Sequence, residues 1–462
     1  MKKLDFRIPP GMRIFTAVWA GQLVSMIGSA LTDFALGVWV FQKTGSAMQF
    51  GMILLFTVLP GILIAPIAGA LVDRWDRRRT MILADTGSAL TTLCVGALLV
   101  TGRLEVWHIL IAVSFNATFR TFQGPAWTAT TSLLVPEEHL GRSAGMMNFA
   151  RSAAQIVAPL LAGVLVLTIG LGGVILIDFA TFAVAVSILF AVRFPAVPRS
   201  EEAAANSGSL LREAAYGWKY IAARPSLRSH LFFFAMINLG LGFVWVLFPP
   251  LVLSFSNTAA LGTVASSVGI GMLVGSMVMT AWGGPQRKVA GILGVGVLLG
   301  IGLIVTGIRP WIPMVAFGVF LITFGIPILN GCFMRLWQPR IAPDVQGRAF
   351  AAMQVIVWST EPIAYMTAGF MADRWFTPLL MPGGALENSV GTVLGVGAGR
   401  GIGLMLGLAG VFVLTVTAVA SLLPHFRGAE SFIPIAVNPN QPAEEPAGAA
   451  GEGAEAGTPV TA

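Results

Sequence analysis

Residues 134–147 read LVPEEHLGRSAGMM, and residues 341–353 read IAPDVQGRAFAAM. Each sets a proline and a short acidic turn ahead of a Gly-Arg pair that opens a new apolar run. The register continues past the quoted text. Met147 and Met353 lie 206 positions apart, as do Ala162-Gly163 and Ala368-Gly369. Gln123-Gly124 and Asn330-Gly331 are separated by 207, the offset that also relates Pro136 to Pro343. Chance can supply one such match. A register kept from Gln123 to Gly163 points to a duplicated chain.

What is duplicated follows from composition. Of the 462 residues 56% are hydrophobic and only 11% are charged, with a mean hydropathy of +0.81. Soluble domains carry about 25% charged residues, so most of this surface faces something other than water. A helical crossing needs about 20 apolar residues. Charges and turn residues divide the chain into twelve such runs, giving an all-α integral membrane protein. The expected spans are roughly 13–42, 48–72, 80–101, 105–134, 142–168 and 172–193, then roughly 229–255, 260–283, 288–307, 311–338, 345–372 and 399–423. The chain thus reads as an N-terminal segment 1–12, a six-helix half 13–193, a linker 194–228, a second half 229–423 and a tail 424–462.

In the linker, LLREAAYGWKYIAARP (210–225) places Leu211, Ala214, Ala215, Trp218, Ile221 and Ala222 on one face, as in a helix lying on a membrane surface. The tail after about Val437 is rich in Pro, Ala, Gly and Glu, the composition of a disordered segment. The first apolar run is too long for a signal-peptide core of roughly 7–15 residues and reads as a retained span. Lys and Arg fix the orientation, because basic residues stay in cytoplasmic loops. Lys43, Arg103, Arg309, Arg374 and Arg400 fall on one side, against 20 on the side of the N-terminus. Both termini and the linker are therefore expected in the cytoplasm. The net charge of +7, which in a soluble chain would suggest nucleic acid, is explained by the same loops.

Three stretches carry a family resemblance. In GALVDRWDRRR (69–79), Gly69, Leu71, Asp73, Arg74, Arg77 and Arg78 are similar to the loop signature between helices two and three of the major facilitator superfamily; Asp76 stands where that family usually has Gly. Arg120, Gln123 and Gly124 resemble its Arg-x-x-Gln-Gly signature in helix four. APLLAG resembles the antiporter signature of helix five, with Pro159 and Gly163 kept and Ala158 and Ala162 in place of glycines. TGS (44–46), AYGWKYIAARPSL (215–227) and the GRGIGLM text from Gly399 resemble its macrolide-efflux and enterobactin-exporter-like branch.

The resemblance implies two pseudo-symmetric six-helix halves, related by an axis along the membrane normal, with a substrate site between them. It implies a proton-coupled exporter of an amphipathic small molecule, such as a macrolide-like drug, a siderophore or a peptide natural product, acting as a monomer in a bacterial plasma membrane. An importer or facilitator on the same fold, or a non-transporting scaffold, is the alternative. By the same resemblance Asp73, Arg74, Arg77, Arg78 and Gly69 form a conformational gate on the inner end of helix eleven.

An ionisable group in the bilayer costs at least about 2.5–3.5 kcal/mol and calls for a reason. Arg120 shares a face of helix four with Asn116 and Gln123. Its expected partner is Asp33 of helix one, a carboxylate balanced between burial, which opposes its charge, and the guanidinium, which supports it. Glu361, followed by Pro362 at an expected bend lining a cavity, is a second coupling candidate or a packing hydrogen bond. Arg151 is expected to pair with Glu361 or with Asp85; Asp85 and Asp178 read as structural. Among aromatics, Trp127, Phe122, Phe234, Trp245, Trp337 and Trp358 are candidates to meet an apolar substrate or, as is commoner in membrane spans, to pack or face lipid, with Asn330 a further cavity candidate. Trp245 precedes Pro249-Pro250, which predicts a break near the outer end of helix seven. GVGAGRGIG (395–403) lacks the preceding strand and following acid of a nucleotide site, and no phosphate-binding Gly-Lys-Ser/Thr loop occurs. Two cysteines inside apolar runs and four scattered histidines predict no metal and no cofactor, and nothing resembles an enzyme's nucleophile–base pair.

Overall fold

The computed structural model describes residues 10–136, 139–192, 221–341 and 346–432, without the surroundings of Gly69 or the side chains of Asp73, Arg74 and Arg348. Most of the linker, including the expected surface helix up to residue 220, and the tail beyond Phe432 lie outside the described residues.

The first half consists of α1 (Pro10–Thr44), α2 (Ala47–Arg74), α3 (Arg77–Val100), α4 (Val106–Leu134), α5 (Leu140–Thr168) and α6 (Gly170–Ala191). The second has α7 (Pro225–Phe255), α8 (Thr258–Trp282), α9 (Lys288–Ile308), α10 (Ile312–Trp337), α11 (Gln346–Trp358), α12 (Thr360–Met371) and α13 (Arg400–Leu422). Ten of these helices are long and apolar enough to cross a membrane. The other two crossings are α4, which carries Asn116, Arg120 and Gln123, and the pair α11 and α12. The pair forms one span interrupted at Ser359, of 13 and 12 residues on either side. Pro362 explains the interruption: it has no N–H to offer the carbonyl one turn back, at Trp358. Beyond Met371 the span continues as a π-helical stretch, Ala372–Phe376.

Pro249 and Pro250 do not break α7, contrary to the expectation from sequence. The helix runs unbroken from Pro225 to Phe255. Val246, Leu247, Phe248, Leu251 and Val252 around the prolines are all buried in the core of the second half. Tertiary packing on every side here outweighs the two lost helix donors. The packed chain also extends past the last span. Short helices Pro424–Arg427 and Ala429–Phe432 follow α13. Phe426 is fully buried, its ring stacked on His230 at 3.9 Å, and Glu430 Oε1 accepts from the Val289 amide at 2.8 Å at the start of α9.

The halves mirror each other. In the first, α1 packs on α5 and α6, and α3 on α4 and α6; in the second, α7 packs on α12 and α13, and α9 on α10 and α13. They meet through α5 against α8 and α2 against α12. These contacts gather at the end of the bundle opposite the chain termini. There the two glycines related by the 206-residue offset each mark a close approach. A Cβ on Gly163 would stand 2.9 Å from the Thr258 carbonyl oxygen, and one on Gly369 would stand 2.5 Å from Met48 Cα. Duplication has thus placed a glycine at each of the two seams. At the end bearing the termini, α2 has no comparable packing on α11. The bundle is closed at one end and splayed at the other.

Candidate functional site

Helices α1 and α4 bring Asp33 and Arg120 together across 87 residues of sequence. Arg120 Nη1 lies 2.8 Å from Asp33 Oδ2, with the side chains 40% and 38% exposed. The pair is therefore formed yet reachable from open space. One turn away on α4, Asn116 Oδ1 is buried and has no hydrogen-bond partner among the described residues. Behind the pair stands Asp178 of α6, 1% exposed. Its oxygens accept from Thr92 Oγ1 at 3.3 Å and, at the limit of a hydrogen bond, from Ser29 Oγ at 3.5 Å. Asp178 interacts electrostatically with both members of the pair. The guanidinium is ion-paired with Asp33 alone among the described residues, and Asp178 is held by hydroxyl donors.

Gln123 is not a free cavity residue as expected. Its Nε2 donates to Asp85 Oδ1 at 2.5 Å and to Gln22 Oε1 at 2.9 Å, while Gln22 Nε2 donates to Asp85 Oδ2 at 2.9 Å. Asp85 is 1% exposed, and a carboxylate so deeply buried must find donors. Two amides provide them, tying α1, α3 and α4 together. Neither Asp85 nor Glu361 is paired with Arg151 among the described residues. Gln22 was not singled out from sequence. A lone Gln in an apolar run gives no sign of a partner 63 positions on.

Glu361 occupies the first turn of α12 and accepts from Tyr365 Oη at 3.4 Å. Trp358 is exposed at the interruption before it, and Asn330 is exposed on α10. The remaining aromatics are packed. Trp127 stacks on Phe15 with ring centroids 5.5 Å apart, joining α4 to α1, and Phe122 stacks on Trp75 at 6.0 Å. Trp245 meets Phe248 edge-on, Phe234 is buried against Phe333, and Trp337 is fully buried beside His230.

The loop between α2 and α3 explains the residue that departs from the family pattern. Asp76 is the N-cap of α3, its Oδ1 accepting from the Arg79 amide at 2.8 Å. Arg78 donates to the carbonyls of Leu189 and Phe190 at 2.9 and 2.8 Å, filling acceptors left open at the end of α6. So Arg78 holds helices within one half. Pro159 and Gly163 lie on the α5–α8 seam, where Ser266 Oγ also donates to the Ile156 carbonyl at 2.8 Å.

At the closed end a latch appears that the sequence did not announce. Asp373, in the π-helical stretch, accepts from Ser46 Oγ at 2.6 Å and from the amides of Ala47 and Met48 at 3.1 and 2.9 Å. It caps α2 from the other half, where the helix presents free N–H groups and the positive end of its dipole.

Comparison with known proteins agrees with this architecture. Residues 18–360 match the sequence model described as Major Facilitator Superfamily. Macrolide efflux protein A of Streptococcus pyogenes is 30% identical over 382 residues, covering 78% of this chain and 91% of its own length. The multidrug efflux pump Tap of Mycolicibacterium fortuitum is 25% identical over 374 residues, covering 78% and 88%. Enterobactin exporter EntS of Salmonella typhimurium is 25% identical over 270 residues, 57% of this chain and 62% of its own. Among solved structures, a bacterial homolog of the human lysosomal transporter Spinster superposes with a TM-score of 0.67 at 15% identity, covering 91% of this chain and 97% of that one.

Proposed function

The chain belongs to the Major Facilitator Superfamily and is a multi-pass membrane transporter; from that premise we propose that it is a proton-coupled exporter of an amphipathic small molecule. The observation that carries the reading is the half-exposed Asp33–Arg120 pair at 2.8 Å. An arginine remains charged and so cannot itself carry the proton. Its service is to compete for the carboxylate. Protonation of Asp33 releases the guanidinium, and substrate or a change of access can then act on a freed cation. Asn116 stands one turn from the pair, its unpartnered amide oxygen buried, so it meets substrate only once the pair and its neighbours rearrange. The efflux names of the relatives support the direction, and the macrolide, multidrug and siderophore classes they print support a broad amphipathic substrate.

With the basic loops in the cytoplasm of a bacterial cell, the closed end faces outward and the structure is the inward-facing state of a monomer. Alternating access then rocks the halves about the α5–α8 and α2–α12 seams. Asp73 belongs to the opposite phase of the cycle, latching α2 to the inner part of the eleventh span when that end shuts. Asp73→Asn accordingly slows transport without loss of membrane insertion; an unchanged rate would leave the loop a topological role alone.

The central test uses inverted vesicles with an imposed proton gradient. Asp33→Asn and Arg120→Ala abolish gradient-driven uptake of a macrolide or siderophore probe while both proteins reach the membrane at wild-type levels. Wild-type rates in both variants would remove the pair from the coupling mechanism, and transport in the opposite direction would make the protein an importer.

A further inference from the structure

The glycine-rich segment leading into α13 forms one wall of a cavity at the closed end of the second half. The cavity, of about 380 Å³, is lined by Arg309 and Pro310 from the turn between α9 and α10, by Phe255 at the end of α7, and by residues 392–396 with Ala398 and Arg400. Gly399 enters α13 with φ of 79°, a left-handed turn that sets Arg400 as the first residue of a 23-residue helix.

Arg400 is only 4% exposed, the one Lys or Arg among the described residues that is buried. Its Nη1 makes a long bond of 3.3 Å to the Leu394 carbonyl, and its Nη2 is buried with no partner. No carboxylate pairs with it among the described residues. A buried guanidinium left without counter-charge is strongly destabilising unless something completes it. Around the same space stand a second cation, Arg309, and the positive N-terminal end of α13, with no acidic residue in the lining. Three sources of positive potential converge on a cavity that holds no negative one.

We propose that this cavity binds a phosphate group, supplied either by a lipid headgroup or by a phosphate compound in solution. The phosphate is coordinated by Arg400 from within and by Arg309 from the mouth. The apolar members of the wall, Phe255, Pro310 and Val396, flank whatever carries it. Because the lining comes from the ends of α7, α9 and α13, the bound anion staples three helices of the second half at this face. The site is separate from the Asp33–Arg120 pair and does not depend on the transport reading.

The test is thermal unfolding of the purified full-length protein in detergent, with lipid retention followed by native mass spectrometry. The additions are sodium phosphate against sodium chloride at equal ionic strength, and phosphatidylglycerol against diacylglycerol in mixed micelles. A ligand that binds only the folded state raises Tm. Sodium phosphate or phosphatidylglycerol raises it in the wild-type protein, and their controls do not. Response to the lipid alone assigns a headgroup, and response to both assigns any accessible phosphate. Arg400→Gln removes the shift. Arg309→Gln, an exposed position whose variant folds whatever the fate of Arg400→Gln, raises the half-saturating concentration by about tenfold, as expected for loss of one charged partner. No shift with either ligand, or an unaltered half-saturating concentration in Arg309→Gln, overturns the proposal.

Discussion

Replacing Asp373 by alanine removes three bonds that hold the closed end. The Ser46 hydroxyl at 2.6 Å and the amides of Met48 and Ala47 at 2.9 and 3.1 Å all lose their acceptor. These bonds join opposite halves, so they exist only while this end is shut; when it opens, water takes the place of each partner. The net value of each is then about 0.5–1.5 kcal/mol, nearer the top of that range for a charged acceptor. The site is partly exposed and the three share one carboxylate, so the total comes to about 2 kcal/mol rather than a simple sum. That changes the ratio of closed to open populations by about 30-fold. Spin labels at Arg103 and Trp311, exposed turns of opposite halves at this end, report the separation, in a background with Cys94 and Cys332 replaced. Asp373→Ala should move population from the short to the long distance, and Asp373→Glu should restore part of it. Ser46→Ala should give a smaller shift in the same direction. Distance distributions identical to the parent in both alanine variants would show that the carboxylate caps α2 without biasing the cycle.

Two further outcomes follow from the same geometry. Gly262→Val places a side chain against the Pro159 carbonyl on the α5–α8 seam, where even a Cβ has no room; transport should fall severalfold and the same spin-label pair should report an opened end. Asp76→Ala should lower stability by about 1 kcal/mol through loss of the α3 cap, whereas Asp76→Gly should cost only a few tenths, which thermal melts of the two variants will separate.

The parts of this molecule legible in its sequence are those carried by local pattern or by repetition. Apolar runs bounded by charge gave the spans, and the offset linking Gly163 to Gly369 predicted two equivalent halves before either glycine was seen at a seam. The interruption of the eleventh span was readable at Glu361-Pro362 because a missing donor acts locally. The same reasoning failed at Pro249-Pro250, where buried neighbours on every side keep the helix intact. Asp33 and Arg120 were paired correctly because a membrane-embedded charge demands an opposite one and few candidates exist. The bonds of Gln123 to Asp85 and Gln22 were not readable, because an isolated Gln carries no label for its partner. Asp76 looked like a defect in a family signature and is a helix cap. The role of Asp373 is not legible in the sequence. Its partners lie more than 300 positions away, a separation over which a single sequence carries no pairing signal.

The glycines at the seams bear on how such a protein can change over generations. Gly163 and Gly369 let main chain meet main chain, so at these two points the seal is made without side chains. Such a seal takes no account of what is being carried, and almost any substitution at it is an addition of volume where none fits. On the proposed reading, in which substrate meets the Asp33–Arg120 pair, variation there retunes which molecules are accepted while this closure stays untouched, and drift in specificity need not pass through drift in tightness.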